Sequence, residues 1–155
     1  MALLSPFSLL FTALQTYITA QVPEIKWIDH DFDQLETPER PQVLFPALLI
    51  DFTDTNYEDQ QLSQYANITI RFRLCFDRWD NTSMVTPDAR KEQGLQYYEI
   101  EQKLHTKLQG WLNSGMLSLP FKRVTSKSEK KELQGMRVRQ IDYYCQYEDE
   151  SVGGA

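Results

Sequence analysis

The chain has 155 residues, 41% of them hydrophobic and 25% charged, enough for one domain that buries a core without a metal or a disulfide framework. Its net charge of −6 argues against a dedicated nucleic-acid binder, which carries a basic balance or stripe. The one basic segment, "SKSEKKELQGMRVR" (126–139), is diluted by its own acids, no run approaches the ~18 apolar residues of a membrane span, and two cysteines, Cys75 and Cys145, are too few for a zinc site.

The opening "MALLSPFSLLFTALQTYITAQVPE" has no positively charged start and no small-x-small cleavage site, so it reads as part of the fold and not as a secretory leader. Phe7, Leu10, Phe11, Leu14, Tyr17 and Ile18 recur at three- and four-residue steps, the stripe of an amphipathic helix. Ser5 and Pro6 suit its N-cap and first position, and Pro23 marks its exit. A cytosolic setting follows, with reduced, buried cysteines or a bridge between neighbouring strands, and with the sequons at Asn67 and Asn81 arising by chance.

"EIKWIDHDFD" (24–33) is expected as a strand and "LETPERP" (35–41) as a turn. "QVLFPALLIDF" (42–52) is nearly continuous in apolar residues, so it is expected to be covered on both faces, with Pro46 at an edge or a bulge. The polar "TDTNYEDQQ" (53–61) reads as a projecting loop, which makes Asp54, Asn56 and Tyr57 candidate contact residues. It leads into "QYANITIRFRLCFD" (64–77), where Ile68, Ile70, Phe72, Leu74 and Phe76 share one face and Asn67, Thr69, Arg71, Arg73 and Cys75 the other. The two strands are expected to form an antiparallel hairpin.

"DRWDNTSMVTP" (77–87) reads as a loop, and Thr86–Pro87 as the start of a second helix weakened at Gly94. Its apolar stripe is Tyr97, Ile100, Leu104, Leu108 and Trp111, and "NSG" (113–115) is its expected stop, with Gly115 left-handed. Strands are expected at 119–128 and 135–148, joined through a charged turn at 129–134. In the second of these Met136 and Val138 share one parity but Ile141, Tyr143, Cys145 and Tyr147 the other, and a bulge near Arg139–Gln140 would reconcile them. The order α-β-β-β-α-β-β describes one α+β domain over 1–148 with a mostly antiparallel sheet against two helices, and a disordered tail at 149–155.

Motifs for chemistry are missing: there is no phosphate loop, no nucleophile elbow and no His-Glu-x-x-His. Asp29, His30, Asp31 and Asp33 could hold a divalent ion, but on a strand His30 points away from the three aspartates. His105 has no Asp or Ser beside it to make it catalytic, and a Cys75–His105 pair has no motif behind it. No catalytic residue, cofactor or metal site is therefore assigned. Arg71 and Arg73 suit a solvated strand face or, because arginine is enriched at interfaces, acidic groups of a neighbouring subunit, with contact to DNA phosphates as the minor third reading.

The leading helix, the long hairpin of "PQVLFPALLIDF" and "QQLSQYANITIRFRLCFD", the helix "QYYEIEQKLHTKLQGWL" and the last strand "RVRQIDYYCQYE" together resemble the tail-terminator and tail-completion proteins of tailed bacteriophages over residues 5–148. The resemblance implies a non-enzymatic virion protein that forms a homo-oligomeric ring, a hexamer or dodecamer, at the head–tail junction. Such a ring meets portal, neck or tail proteins, passes DNA through its lumen without reading it, and is made in the host cytoplasm before it joins the virion. It also implies that Arg71, Arg73 and the 53–61 tip face other subunits. The charged 77–93 segment and the acidic tail depart from the family pattern. The alternatives are a small metal-dependent enzyme such as a nuclease, built on Asp29–Asp33, and a cytosolic dimeric α+β adaptor.

Overall fold

The computed structural model describes residues 2, 5–39, 41–77, 82–113, 115–131 and 135–150. Helix α1 (Pro6–Gln21) begins with proline at its start, where a missing N–H costs nothing. Ser5 contributes its carbonyl, which accepts from Leu9 N–H at 3.0 Å, and its side chain makes no cap bond. The stripe read from the sequence is the packed one: Leu10, Leu14 and Ile18 are buried, with Phe7, Phe11 and Tyr17 flanking them.

Strands β1 (Trp27–His30), β2 (Ala47–Asp59), β3 (Gln64–Phe76), β4 (Leu119–Lys131) and β5 (Met136–Asp149) form a single sheet in the order β1-β2-β3-β5-β4. β1 runs parallel to β2 and every other pair is antiparallel. Helices α1 and α3 (Gln96–Leu108) cover one face, where Ile68, Ile70, Phe72, Leu74, Ile141 and Tyr143 meet Leu14, Ile18, Leu104 and Leu108 in the main core. The fold class is α+β, and with the second helix in two pieces the order is α-β-β-β-α-α-β-β.

Several expectations about local structure are corrected. The segment 53–59 is strand: β2 runs on to Asp59, and only 60–63 turn, closed by Gln60 N–H to Ser63 O at 2.8 Å. Pairing with β3 overrides the polar composition, and a register shift between Phe52 and Asp54 makes Thr53 the bulge. β1 is shorter than 24–33, and its end folds into a 3₁₀ turn at Gln34–Glu36 that buries Leu35. Pro46 precedes β2, after a cis peptide with Phe45.

The second helix is two, α2 (Asp88–Gly94) and α3, parted at Leu95 after the glycine that weakens the helix. It stops at Leu108, and the left-handed glycine is Gly110 at φ 77°, not Gly115. Trp111 lies past the helix end but still packs on the core.

β5 has no bulge against β3, since their register is unbroken from Gln64↔Asp149 to Phe76↔Arg137. Its change of parity has another cause: both faces are covered. Met136 and Val138 join Leu35, Ala47, Leu49 and Cys75 in a second, smaller core under Val43 and Phe45, whereas Ile141, Tyr143, Cys145 and Tyr147 face the helices. The bulges lie in β4, between Leu119 and Lys122 and between Arg123 and Thr125. Both cysteines are buried thiols outside any disulfide, Cys75 in the second core and Cys145 in the main one, so the sheet itself separates them. Parts of the expected 77–87 loop (78–81), of the 129–134 turn (132–134) and of the tail (151–155) lie outside the described residues.

Candidate functional site

Every strand of the sheet has a second face, and it divides into two zones. Near β1 it is covered. The acidic stretch 29–36 doubles back here: Asp33 takes a left-handed φ of 62°, Asp31 Oδ1 accepts Asp33 N–H at 3.0 Å, and the Gln34 amide donates to His30 O at 2.9 Å. This turn seats Asp31 and Glu36 over Arg73. The Arg73 guanidinium, on a residue only 5% exposed, reaches Asp31 at 3.1 Å, Glu36 at 2.7 Å and Glu129 at 2.6 Å. Burial opposes the charge, yet the hydrogen bonds from Glu129, Glu36 and Asp31 outweigh it and hold the guanidinium pKa above its ordinary value.

Arg71, one step along β3 on the same face, makes a two-pronged pair with Asp142 at 3.0 and 3.2 Å, and that hydrogen bonding raises its pKa further. Buried Gln140 lies between the two arginines, its amide nitrogen facing Glu129 and its oxygen facing Arg71. The four carboxylates that meet Arg71 and Arg73 thus belong to their own chain. The metal-ligand alternative for the acidic cluster loses its geometry for the same reason. Asp31 is bound to Arg73, Asp29 Oδ1 accepts His30 N–H at 2.8 Å, and the His30 ring stacks on Phe11 at 3.9 Å on the helix side. Among the described residues no group of three His, Cys, Asp or Glu side chains is arranged to hold an ion.

The other zone is open. The far half of the β2–β3 hairpin and the end of β5 extend beyond β1, and their second face carries Asp54, Asn56, Glu58, Tyr65, Asn67, Thr69, Tyr144 and Gln146. Asn67 Oδ1 accepts from Tyr144 Oη at 2.7 Å and from Gln146 Nε2 at 2.8 Å, and Gln146 Oε1 accepts from Ser118 Oγ at 3.0 Å. These half-buried polar groups are ordered without being covered. Of the candidate contact residues, Asp54 and Asn56 lie on this open face. The bulge at Thr53 does not bring Tyr57 with them: it pairs with Ala66, hydrogen-bonds Tyr147 on the helix side and stays 49% exposed.

The helix side holds a polar cluster that the sequence reading did not single out. Arg137 and Arg139 share the parity of Ile141 and Tyr143, so they point toward α3. There Arg139 Nε meets buried Glu101 at 2.9 Å, Ser126 Oγ donates to the same carboxylate, and Arg137 donates to Tyr97 Oη while its guanidinium lies over that ring at 4.8 Å. The alternation of β5 was the signal for it. His105 is half-buried with Nδ1 2.8 Å from Tyr143 Oη. Burial first, then the nearby Arg123, lowers its pKa, and burial raises that of Tyr143. Burial pushes the Cys145 thiol up to about 12, which makes it a poor nucleophile. Cys75 and His105 stand on opposite faces of the sheet and form no pair.

No family model matches the chain, and no curated protein matches it. Among solved structures it is similar to a chain from the virion of a native gene transfer agent particle, with 12% identity, 90% of each chain covered and a TM-score of 0.50. At that identity the likeness is one of fold.

Proposed function

We propose that this chain is a non-enzymatic structural protein of a tailed-bacteriophage-like virion. In this reading it forms a homo-oligomeric ring at the head–tail junction, as a tail terminator or connector, and DNA passes through the lumen. The observation that carries the proposal is the shared fold with a virion chain over 90% of both lengths. The element order and the long hairpin agree with it, as does the engagement of Asp31, His30 and His105 in ion pairing, stacking and hydrogen bonding. Asp31 is occupied by Arg73, and His105 is held by Tyr143. Portal, neck or tail proteins are the partners above and below, and the subunit waits in the host cytoplasm before assembly.

The interface candidates divide by exposure. Asp54, Asn56 and Tyr57 lie on the projecting half of the hairpin and are exposed, so they suit contact with another subunit. The side chain of Arg71 is 36% exposed and can add a contact while it holds Asp142. Arg73 is engaged by carboxylates of its own chain, in the covered zone away from the projecting half of the hairpin. The test is mass spectrometry of gradient-purified particles, joined to deletion of the gene. The protein is expected in the particle at ring-like copy number, and its loss should leave heads and tails unjoined. Particles that lack the protein, or a deletion with normal joined particles, would overturn the proposal.

A further inference from the structure

The sheet ends in two open edges of opposite charge. β1 covers β2 only from Ala47 to Ile50, and Asp31 N–H closes the last carbonyl there, on Ile50 O at 3.0 Å. Beyond Ile50, among the described residues, no backbone hydrogen bond reaches β2 from that side. That stretch, 51–59, carries Asp51, Asp54, Glu58 and Asp59 and no basic residue. At the other edge, residues 109–111 cover the start of β4: Phe121 N–H donates to Trp111 O at 2.9 Å, Gly110 N–H to Phe121 O at 2.8 Å, and Arg123 N–H to Gln109 Oε1 at 2.9 Å. From Val124, itself 60% exposed, to Lys131 the described residues make no such bond on the outer side. This stretch carries Lys127, Lys130 and Lys131, and its one acid, Glu129, is bound to Arg73.

We propose that copies of this chain join head to tail by strand addition, the 124–131 edge of β4 pairing with the 51–59 edge of β2 in the next copy. The inference rests on the ring reading above and names its contact. Lysines on an exposed edge strand commonly prevent such pairing, but here the opposite edge offers the acids that would receive them. β2 and β4 run in opposite directions within the sheet, so a repeated copy presents them antiparallel. The contact uses two different surfaces and is therefore heterologous, the kind that closes into a ring or runs on as a filament. Thr125 is level with Asp51 through Asp142 and Arg71, so the two open stretches extend opposite ways from that row. Neighbours must then be offset along their strands, and a closed ring takes up that offset as strand tilt, as barrels do.

Two variants test this, each with one edge reversed: Asp54→Lys with Glu58→Lys and Asp59→Lys, and Lys127→Glu with Lys130→Glu. Circular dichroism and melting establish that both fold, and native mass spectrometry and negative-stain microscopy read assembly. Each variant alone has two like-charged edges, and its assembly should weaken about 100-fold or more. In an equimolar mixture every contact can again join unlike edges by alternation, so even-numbered rings should return. Assembly of either variant as readily as the wild type, no rescue in the mixture, or a wild type that stays monomeric at every concentration would overturn strand addition. The presence of the protein in purified particles is measured separately, so a virion protein without edge pairing is distinguishable from edge pairing outside a virion.

Discussion

Replacing Arg73 with methionine tests the covered zone of the sheet most sharply. The change keeps an unbranched, flexible stem and removes the charged guanidinium. Arg73 is 5% exposed and contacts three carboxylates, of which Asp31 and Glu129 have side chains only 7% and 19% exposed. Those two would be left as negative charges with little water and without the guanidinium that they hydrogen-bond. Breaking a buried pair from one side costs about 3–5 kcal/mol. For a chain of this size each kcal/mol lowers the melting temperature by roughly 2–4 °C, so a drop on the order of 10 °C is expected. Arg71→Met is the control: its side chain is 36% exposed, and such a pair is worth about 1 kcal/mol or less. Adding Asp31→Asn and Glu129→Gln to Arg73→Met should recover part of the loss, because the three sites act as one network. Thermal melts of the four proteins decide it. An Arg73→Met protein that melts like Arg71→Met would refute the claim that Arg73 organises the 31–36 turn.

Other expectations follow from the same geometry. Phe72→Ala and Leu104→Ala, both at fully buried sites, should each cost about 2–5 kcal/mol in denaturant titrations, and a loss below about 1 kcal/mol would contradict the packing of α3 on β3. The lowered pKa of His105 means that the unfolded chain takes up that proton at a higher pH than the folded one, so stability should fall as pH drops below about 6.5. His105→Gln should flatten that part of the profile, and an unchanged slope would remove His105 as its source. Purified protein should leave DNA intact with magnesium or manganese present, since Asp31 is engaged with Arg73, and metal-dependent cleavage lost on Asp29→Asn would restore the nuclease alternative.

What the sequence made legible was burial on strands and helices whose pattern was long and regular. The alternation from Ile68 to Phe76 placed five residues in the main core, all buried there, and the α1 stripe placed Leu10, Leu14 and Ile18 with them and Phe7, Phe11 and Tyr17 at its margin. The polar stretch 53–59 was misread because its strand character comes from the ladder with β3 and not from its own residues. The parity change in β5 looked like a bulge because one covered face was assumed, whereas Val138 and Ile141 are both buried, on opposite sides. The partners of Arg73 were out of reach for a different reason: Glu36 and Glu129 lie 37 and 56 positions away, and only the folded turn brings them over β3. A usable hint did exist, since an arginine at the parity of Leu49 and Val138 belongs to a face that is covered at its lower end.

The most direct measurement of the central claim is a cryo-electron microscopy reconstruction of the purified particle with this chain fitted to its neck. The account predicts a closed ring of copies at the head–tail junction, with the β2–β3 hairpin at the subunit contacts and an unobstructed lumen. Density that fits the chain only elsewhere in the particle, or nowhere in it, would contradict the account.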